Sequence, residues 1–437
     1  MQNVIPHPVP DTTGAIGPRH YVEFVNARIA AYDRRNLRLV GQADGGRFVG
    51  RRDGVVIDIQ VIWDQAGGRW YYATLFNRPR NNALLFGWSK TADPTPRSGN
   101  WCHFAVRTGR LIDDYPKLGQ DADHLIVGIN VGNVETRKVE FSRVRAIPKP
   151  APGETRCARP PVFTFGSSTE PLRTVSGVRA STPVAANAVD GSAEGWVVAT
   201  ECVDPDDCPG ADRTGRRLVT WQLIGPRDAP QLVQRGDLVV PAYRVPAPVR
   251  QPGTNRRLDP SDTRLTQAVA NRDPTAGGEV AVWTQHTAAA AGGRSEVRWY
   301  EILPAAGRIA QRGVIGDRRN SVFNAAISPT WRGDAAVINY NSGGARLLPQ
   351  LRARRRGAAD PPGAMRNPIV LGRSRAPNTA CDPPPEDPYC GWGDYAGASP
   401  DPLVSNVVWG SNQLTGPLRR PRPLPYWTTR NFAIATS

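Results

Sequence analysis

Lysine is almost missing: of the 55 basic residues only Lys90, Lys117, Lys138 and Lys149 are lysine, and the other 51 are arginine. Methionine occurs twice and histidine five times. No apolar run approaches the roughly 18 residues that a bilayer-spanning helix requires, so no membrane span is expected. No segment carries the 3.6-residue apolar period of an amphipathic helix. A phosphate loop, a Gly-x-Ser-x-Gly elbow and a dinucleotide fingerprint are all lacking, which argues against those three enzyme classes. The histidines (His7, His20, His103, His124 and His286) show no metal-ligand spacing. His103 follows Cys102 in a run that reads as a strand, so their side chains face opposite ways and form no catalytic couple.

What is present is glycine and proline, 43 and 42 of 437 residues, alongside a 40% hydrophobic share large enough to build a core. Glycine has no three-residue period, which excludes collagen. The net charge is +16. Arginine, alanine, glycine and proline are abundant together, as in a GC-rich coding sequence. The arginines are spread along the chain and form no stripe interleaved with aromatics, so no specific nucleic-acid partner is expected. The one cluster, Arg352, Arg354, Arg355 and Arg356, reads as a solvated, anion-attracting surface.

Six cysteines admit fifteen pairings. Cys202 and Cys208 bracket one acidic turn, and Cys381 and Cys390 bracket another that is rich in proline; Cys102 and Cys157 then pair by elimination. Zinc is the alternative, but the chain has no Cys-x2-Cys spacing. Disulfides imply an oxidising compartment, whether secreted, periplasmic or cell-surface. The N-terminal MQNVIPHPVPDTT has neither the basic nor the apolar region of a signal peptide. The expectation is a removed signal, with Met1 belonging to the recombinant form, or a truncated gene start; a cytosolic protein with free thiols is the minor alternative.

Short runs rich in Val, Ile, Tyr, Trp and Thr, bounded by Gly, Pro, Asp or Asn, read as strands. Seven units share the order strand, polar turn, strand: 21–33, 58–76, 115–131, 184–201, 265–286, 324–341 and 395–413. Further strands are expected at 82–91, 101–106, 297–302 and 430–436. The Ala-rich run 287–291 leads into Gly-Gly and reads as a loop, and the Pro-rich residues 1–18 read as an extended arm. The units recur every 40 to 80 residues or so, room for a four-stranded blade of about 45 residues plus loops. The fold class expected is all-β: a single β-propeller domain over 19–437, seven-bladed, with six or eight blades as alternatives. Its ring would be closed by strand 430–436 pairing into the sheet that holds 21–33. Two β-sandwich domains explain the repeat less well. Trp70, Trp196, Trp283 and Trp409 fall in second strands and suit packing between blades.

Several strings point further: WDQAGGRWYYATLF, LLFGWSKTADPT, DYPKLGQDADHLIVGINV, RLTQAVANRDPTAGGEVAVWTQHT with VRWYEI, and above all CGWGDYAGASPDP at 390–402 followed by VVWGSNQ and YWTTR. Over roughly residues 20–437 the chain resembles a largely uncharacterised family of secreted bacterial β-propeller proteins, distantly sialidase-like. That family carries a Trp-Gly-Asp-Tyr-Ser-Gly segment followed by Asp-Pro, and Ala396 stands here at the Ser position. The resemblance implies an exported propeller and transfers no catalytic residue.

The first strand of a propeller blade starts at the central funnel. Candidate ligand-binding residues there are Asp58, Asp114, Tyr115, Lys117, Arg264, Gln267, Asn324, Trp392, Asp394 and Tyr395. Carboxylates beside Tyr, Arg and Lys suit sugar hydroxyls or a glycosidase acid–base pair, though Asp and Asn at strand starts also cap turns. Asp394 is flanked by aromatics that suit a sugar platform. Arg264, Arg298, Glu301 and Tyr395 are the residues that would fill sialidase roles, yet the Asp-box Ser-x-Asp-x-Gly-x-Thr-Trp is absent. Asp204, Asp206 and Asp207 are the one place for a structural calcium, and a solvated acidic turn explains them more simply; no cofactor is expected. The function expected is a glycan- or protein-binding module at the cell envelope or outside the cell. The alternatives are a carbohydrate-active hydrolase or lyase, and a structural subunit of a surface assembly whose arm docks onto a neighbour. An enzyme should gather ionisable groups with shifted pKa values in the funnel. A lectin-like module should expose aromatics, and a structural subunit a broad apolar patch.

Overall fold

The β-branched and aromatic runs fold as strands, and the computed structural model describes residues 9–78, 80–136, 138–205, 207, 208, 210–379, 389–418 and 425–437. Among the described residues seven antiparallel meanders follow one another in chain order. Sheet 1 is Thr13–Ile16, His20–Val25, Arg28–Asp33 and Leu39–Asp44. Sheet 2 is Val55–Asp64, Arg69–Asn77, Asn82–Ser89 and Trp101–Gly109. Sheet 3 is Leu111–Gln120, His124–Asn133, Val139–Pro148 and Phe163–Phe165. Sheet 4 is Ala180–Ala188, Gly195–Glu201, Gly215–Ile224 and Gln231–Tyr243. Sheet 5 is Leu265–Asp273, Glu279–Ala290, Arg294–Leu303 and Arg308–Ile315. Sheet 6 is Ser321–Pro329, Ala336–Gly344, Leu347–Arg356 and Ile369–Arg373, and sheet 7 is Gly397–Pro400, Val407–Leu418 and Pro425–Ala435. The described helix is a single four-residue turn, Gly45–Phe48.

This is a propeller arrangement. The first strand of each sheet lies beside the first strand of the next, and that of sheet 7 lies beside that of sheet 1. The first strands of sheets 3, 4 and 5 even pair in parallel, Asn187 with Gln120 and Ala186–Ala188 with Ala268–Ala270. First and second strands are buried on both faces and so read as continuous apolar runs, whereas last strands such as Leu39–Asp44 are largely exposed.

Each neighbouring pair of sheets shares an apolar cluster. Phe24, Trp70 and Tyr72 sit between sheets 1 and 2, and Phe86, Trp88 and Ile129 between 2 and 3. Ile126 and Trp221 join sheets 3 and 4, and Trp196 and Tyr300 join 4 and 5. Trp283 and Ile327 join 5 and 6, and Leu351 and Phe432 join 6 and 7. Tyr21, Tyr32 and Trp409 join sheet 7 to sheet 1, with the Tyr21 and Trp409 rings stacked at 5.6 Å. All four second-strand tryptophans therefore pack between sheets. Glycine is required where inner strands cross closely: a Cβ on Gly128 would stand 1.7 Å from the Pro183 carbonyl oxygen.

Several expectations need correction. The C-terminal strand pairs with Val407–Leu418, not with the sheet of 21–33, and sheets 7 and 1 meet through side chains. The reason is that Thr13–Ile16, assigned to the arm, already forms the first strand of sheet 1. The unit 21–33 is thus a second and third strand, while the other six units are first and second strands. The Ala-rich run is strand through Ala290, where Ala289 N–H donates to the Arg244 carbonyl. The arginine cluster is consumed locally by packing. Arg352 meets Gln350 and Asp317, Arg354 meets Tyr340, Arg355 the Ala435 carbonyl and Arg356 the Asp360 carbonyl.

Cys102–Cys157 and Cys202–Cys208 are disulfides with Cα–Cα separations of 5.2 and 6.3 Å. Cys390 is also disulfide-bonded, and Cys381 lies outside the described residues. Cys102 points into the apolar cluster of sheets 2 and 3, whereas His103 meets Phe48 on the other face. No described helix is long and apolar enough to cross a membrane.

Candidate functional site

One device recurs where first strands begin. In sheets 2, 3, 4 and 6 the register slips there, and a non-glycine residue takes a left-handed backbone: Asp58, Tyr115, Thr182 and Asn324, with φ between 47° and 58°. Such bulges re-aim side chains, and each left-handed residue costs about 1–3 kcal/mol, a strain that concentrates at functional sites. Amides from the preceding sheet catch backbone N–H groups along these strands. Asn26 Oδ1 accepts from Asp58 N at 2.8 Å, Asn130 Oδ1 from Thr182 N at 3.1 Å and Gln60 Oε1 from Leu118 N at 2.7 Å.

The bulges gather Asp58, Asp114, Tyr115 and Lys117 from sheets 2 and 3, and the segment before sheet 7 adds Asp394 and Tyr395. The Lys117 ammonium lies 3.4 Å from the centroid of the Tyr115 ring and 3.5 Å from that of Tyr395, a double cation–π clasp. It also reaches the Asp394 carbonyl at 3.4 Å, to which Tyr115 Oη donates at 2.9 Å. Arg264 places its guanidinium 4.6 Å from the Tyr115 centroid and pairs with Asp262 at 2.5 Å. Asp11 ties the cluster together: it accepts from Asp394 N at 2.7 Å and from Asn26 Nδ2 at 2.6 Å.

Burial governs the charges. Burial, then the negative charge of Asp394, pushes Asp11 up to about 7. Asp58 is raised well above the carboxylate range by burial, then by Asp11 and Asp114. Burial also raises Asp114, against the pull of Arg264. Burial holds Lys117 well below an ordinary lysine although Asp394 and Asp58 oppose it. The side chains are not all sealed: Asp114, Asp262, Asp394 and Arg264 keep partial solvent contact, and Asp259 is exposed at the mouth. Below them the axis is plugged. A cavity of only about 30 Å³, room for a single water, is lined by Thr13, Gln60, Leu118, Asn187, Gln267 and Ala398.

Seven of the ten candidates thus converge: Asp58, Asp114, Tyr115, Lys117, Arg264, Asp394 and Tyr395. The other three are bound elsewhere. Gln267 clamps Ala398 in the plug, donating to its carbonyl at 2.5 Å and accepting from its N–H. Asn324 belongs to an interior amide network with Asn341 and Asn412. Trp392 donates to Asn341 and packs edge-on against Phe323 and Trp427, fully buried. Trp392 and Tyr395 are therefore core, not an exposed sugar platform. Arg298 and Glu301 bond to Glu296 and Gln311 and take no part in the funnel.

Sequence reading passed over Asp11, Asp259 and Asp262. Asp11 sits in the segment taken as an arm; for Asp259 and Asp262 the available signal was two acids five and two positions before Arg264. Among the described residues no group of three His, Cys, Asp or Glu could hold a metal ion; Asp206 lies outside them.

No family model and no curated protein matches the chain, so the family resemblance has no match behind it. Among solved structures, a variant of Synechocystis apocarotenoid oxygenase is 11% identical with a TM-score of 0.44, over 82% of this chain and 71% of that one. The Dos1 propeller is 10% identical with a TM-score of 0.43, over 95% and 83%. A Trypanosoma rangeli sialidase is 9% identical with a TM-score of 0.41, over 76% of this chain and about half (52%) of the sialidase. No residue role is taken from any of them.

Proposed function

We propose that the chain is an exported, closed seven-bladed propeller of one domain that binds a polyhydroxylated ligand, the end of a glycan, in its funnel mouth. The observation that carries the reading is the convergence of Asp58, Asp114 and Asp394 from three separate parts of the ring around Lys117. Asp114, Asp262 and Asp394, which keep partial solvent contact, accept hydrogen bonds from hydroxyls, while the partly exposed Arg264 donates, which matches the mixed donor–acceptor surface of a sugar. With Trp392 and Tyr395 buried, recognition is polar. Disulfides support an oxidising compartment.

A second reading, glycoside hydrolysis or lysis, is favoured by one observation. Asp259 faces solvent and is raised from the ordinary carboxylate range by desolvation and then by the charge of Asp394. A carboxyl raised toward neutrality in a cluster of other carboxyls is what general acid–base chemistry uses.

The test is a glycan array probed with the oxidised protein and with Asp394→Asn, each hit assayed for reducing-sugar release. Binding lost in Asp394→Asn without turnover supports the binding module. Turnover that dies in Asp259→Asn supports the enzyme. No hit sinks both, and protein partners in an envelope assembly become the reading to pursue.

A further inference from the structure

Away from the funnel, a cavity of about 730 Å³ opens between sheets 1 and 2. Its floor continues the apolar cluster of that interface: Tyr72 and Leu85 are buried members of it. Tyr72 Oη and His103 Nδ1 meet there at 2.7 Å. Its lip is cationic. Arg51 and Arg52 come from the turn after the helical turn Gly45–Phe48, and Arg159 comes from the loop between the third and fourth strands of sheet 3.

Arg159 is a placed residue. Its Nη2 donates to the Ala105 carbonyl at 2.7 Å. Two positions earlier Cys157 is bonded to Cys102, the neighbour of His103. The disulfide therefore holds the third arginine at the cavity across 55 positions of chain. The one acid on the lip, Asp53, is taken by Arg78. Among the described residues no carboxylate pairs with Arg51, Arg52 or Arg159.

We infer that this cavity is a second binding site, for an anion that carries a flat apolar body. Three uncompensated guanidinium groups at one lip match a phosphate or carboxylate head, which they grip by paired N–H donors. The apolar floor and the volume match a ligand body of one or two rings, since pockets of about 300–1,000 Å³ hold small molecules. The disulfide makes the site redox-dependent, because reduction frees the segment that carries Arg159.

The experiment is isothermal titration calorimetry of the full, oxidised chain with 2-naphthyl phosphate, with inorganic phosphate and 2-naphthol as controls. The expected result is binding of 2-naphthyl phosphate at least about tenfold tighter than either control, weakening as salt rises. Arg52→Ala and Arg159→Ala each lower affinity about tenfold, the worth of one charge-assisted hydrogen bond. Both side chains are exposed, so folding is unaffected. A Cys102→Ser/Cys157→Ser double variant with an unchanged circular dichroism spectrum loses as much as Arg159→Ala. No binding of 2-naphthyl phosphate, equal binding of inorganic phosphate, or full affinity in Arg159→Ala overturns the inference.

Discussion

Arg34 Nη2 donates to Asp401 Oδ2 at 2.5 Å, joining sheet 1 to sheet 7 across 367 positions of chain. Asp401 is 1% exposed and also accepts from Trp409 Nε1 at 2.8 Å and from the backbone N–H groups of Leu403 and Val404. One carboxylate thus fastens the two ends of the chain. Removing it by Asp401→Ala leaves the Arg34 charge without a carboxylate, held only by the Gly17 and Pro18 carbonyls, and the Trp409 indole without its acceptor, and the expected cost is about 3 kcal/mol. Arg34→Ala costs less, because Asp401 keeps three donors. Urea denaturation of both variants checks this; unchanged midpoints would show that the junction contributes nothing.

At Gly128 the constraint is room. Its hydrogen faces the Pro183 carbonyl so closely that no methyl group fits without moving an inner strand. Gly128→Ala is expected to cost about 3 kcal/mol or more. Gly99, where nothing lies within 4 Å of an added Cβ, is the control, and Gly99→Ala leaves the melting temperature within a degree or so of wild type.

Two buried groups set opposite pH limits. Glu301 lies beside Asp273 and Gln311; burial, then Asp273, pushes it from 4.5 up to about 8. The folded state prefers the protonated acid, so this contribution is complete below pH 4.5 and is lost as pH rises through 8. Burial pushes His286 from 6.5 down to about 4, its ring held between the Thr263 carbonyl and Tyr300 Oη. That contribution is complete above pH 6.5 and is lost as pH falls through 4. Glu301→Gln, neutral throughout, should remove a loss on the order of 3 kcal/mol that accumulates between pH 4.5 and 8. Thermal unfolding followed across that window decides it: a slope between pH 4.5 and 8 identical in wild type and Glu301→Gln would refute the assignment.

Cys102–Cys157 and Cys202–Cys208 differ in what they constrain. Cys102–Cys157 spans 55 positions and Cys202–Cys208 only 6. Loop-closure entropy gives roughly 4 kcal/mol for the long loop and roughly 2 for the short one. Serine pairs at each site, compared by denaturant unfolding, should show the larger loss at Cys102/Cys157.

Much of the fold was legible locally. Val, Ile, Tyr and Trp around a polar turn mark the hairpin 58–76 or 324–341 whatever surrounds it, because pleated pairing and side-chain alternation are properties of a dozen residues. The strand Thr13–Ile16 escaped because four residues between glycines and prolines carry too little period to read. The left-handed bulges escaped for another reason: Tyr115 and Thr182 are poor residues for that backbone, and only packing imposes it.

The site divides along the same line. Asp58, Asp114 and Asn324 each stand fourth in a first strand, Asp394 just before one, and all look alike in sequence, yet three enter the funnel cluster and Asn324 stitches sheets 6 and 7. Composition and short-range pattern determined by themselves that the chain is all-β, where its hairpins lie and that Cys202 faces Cys208. The ring decided the rest. Only when sheet 7 comes to lie against sheet 1 do Asp11 and Asp394, 383 positions apart, share a hydrogen bond, and only burial inside that ring lifts a carboxyl toward neutrality or leaves a lysine between two tyrosines. Desolvation and close approach are properties of the assembled ring, and no segment of the chain carries them alone.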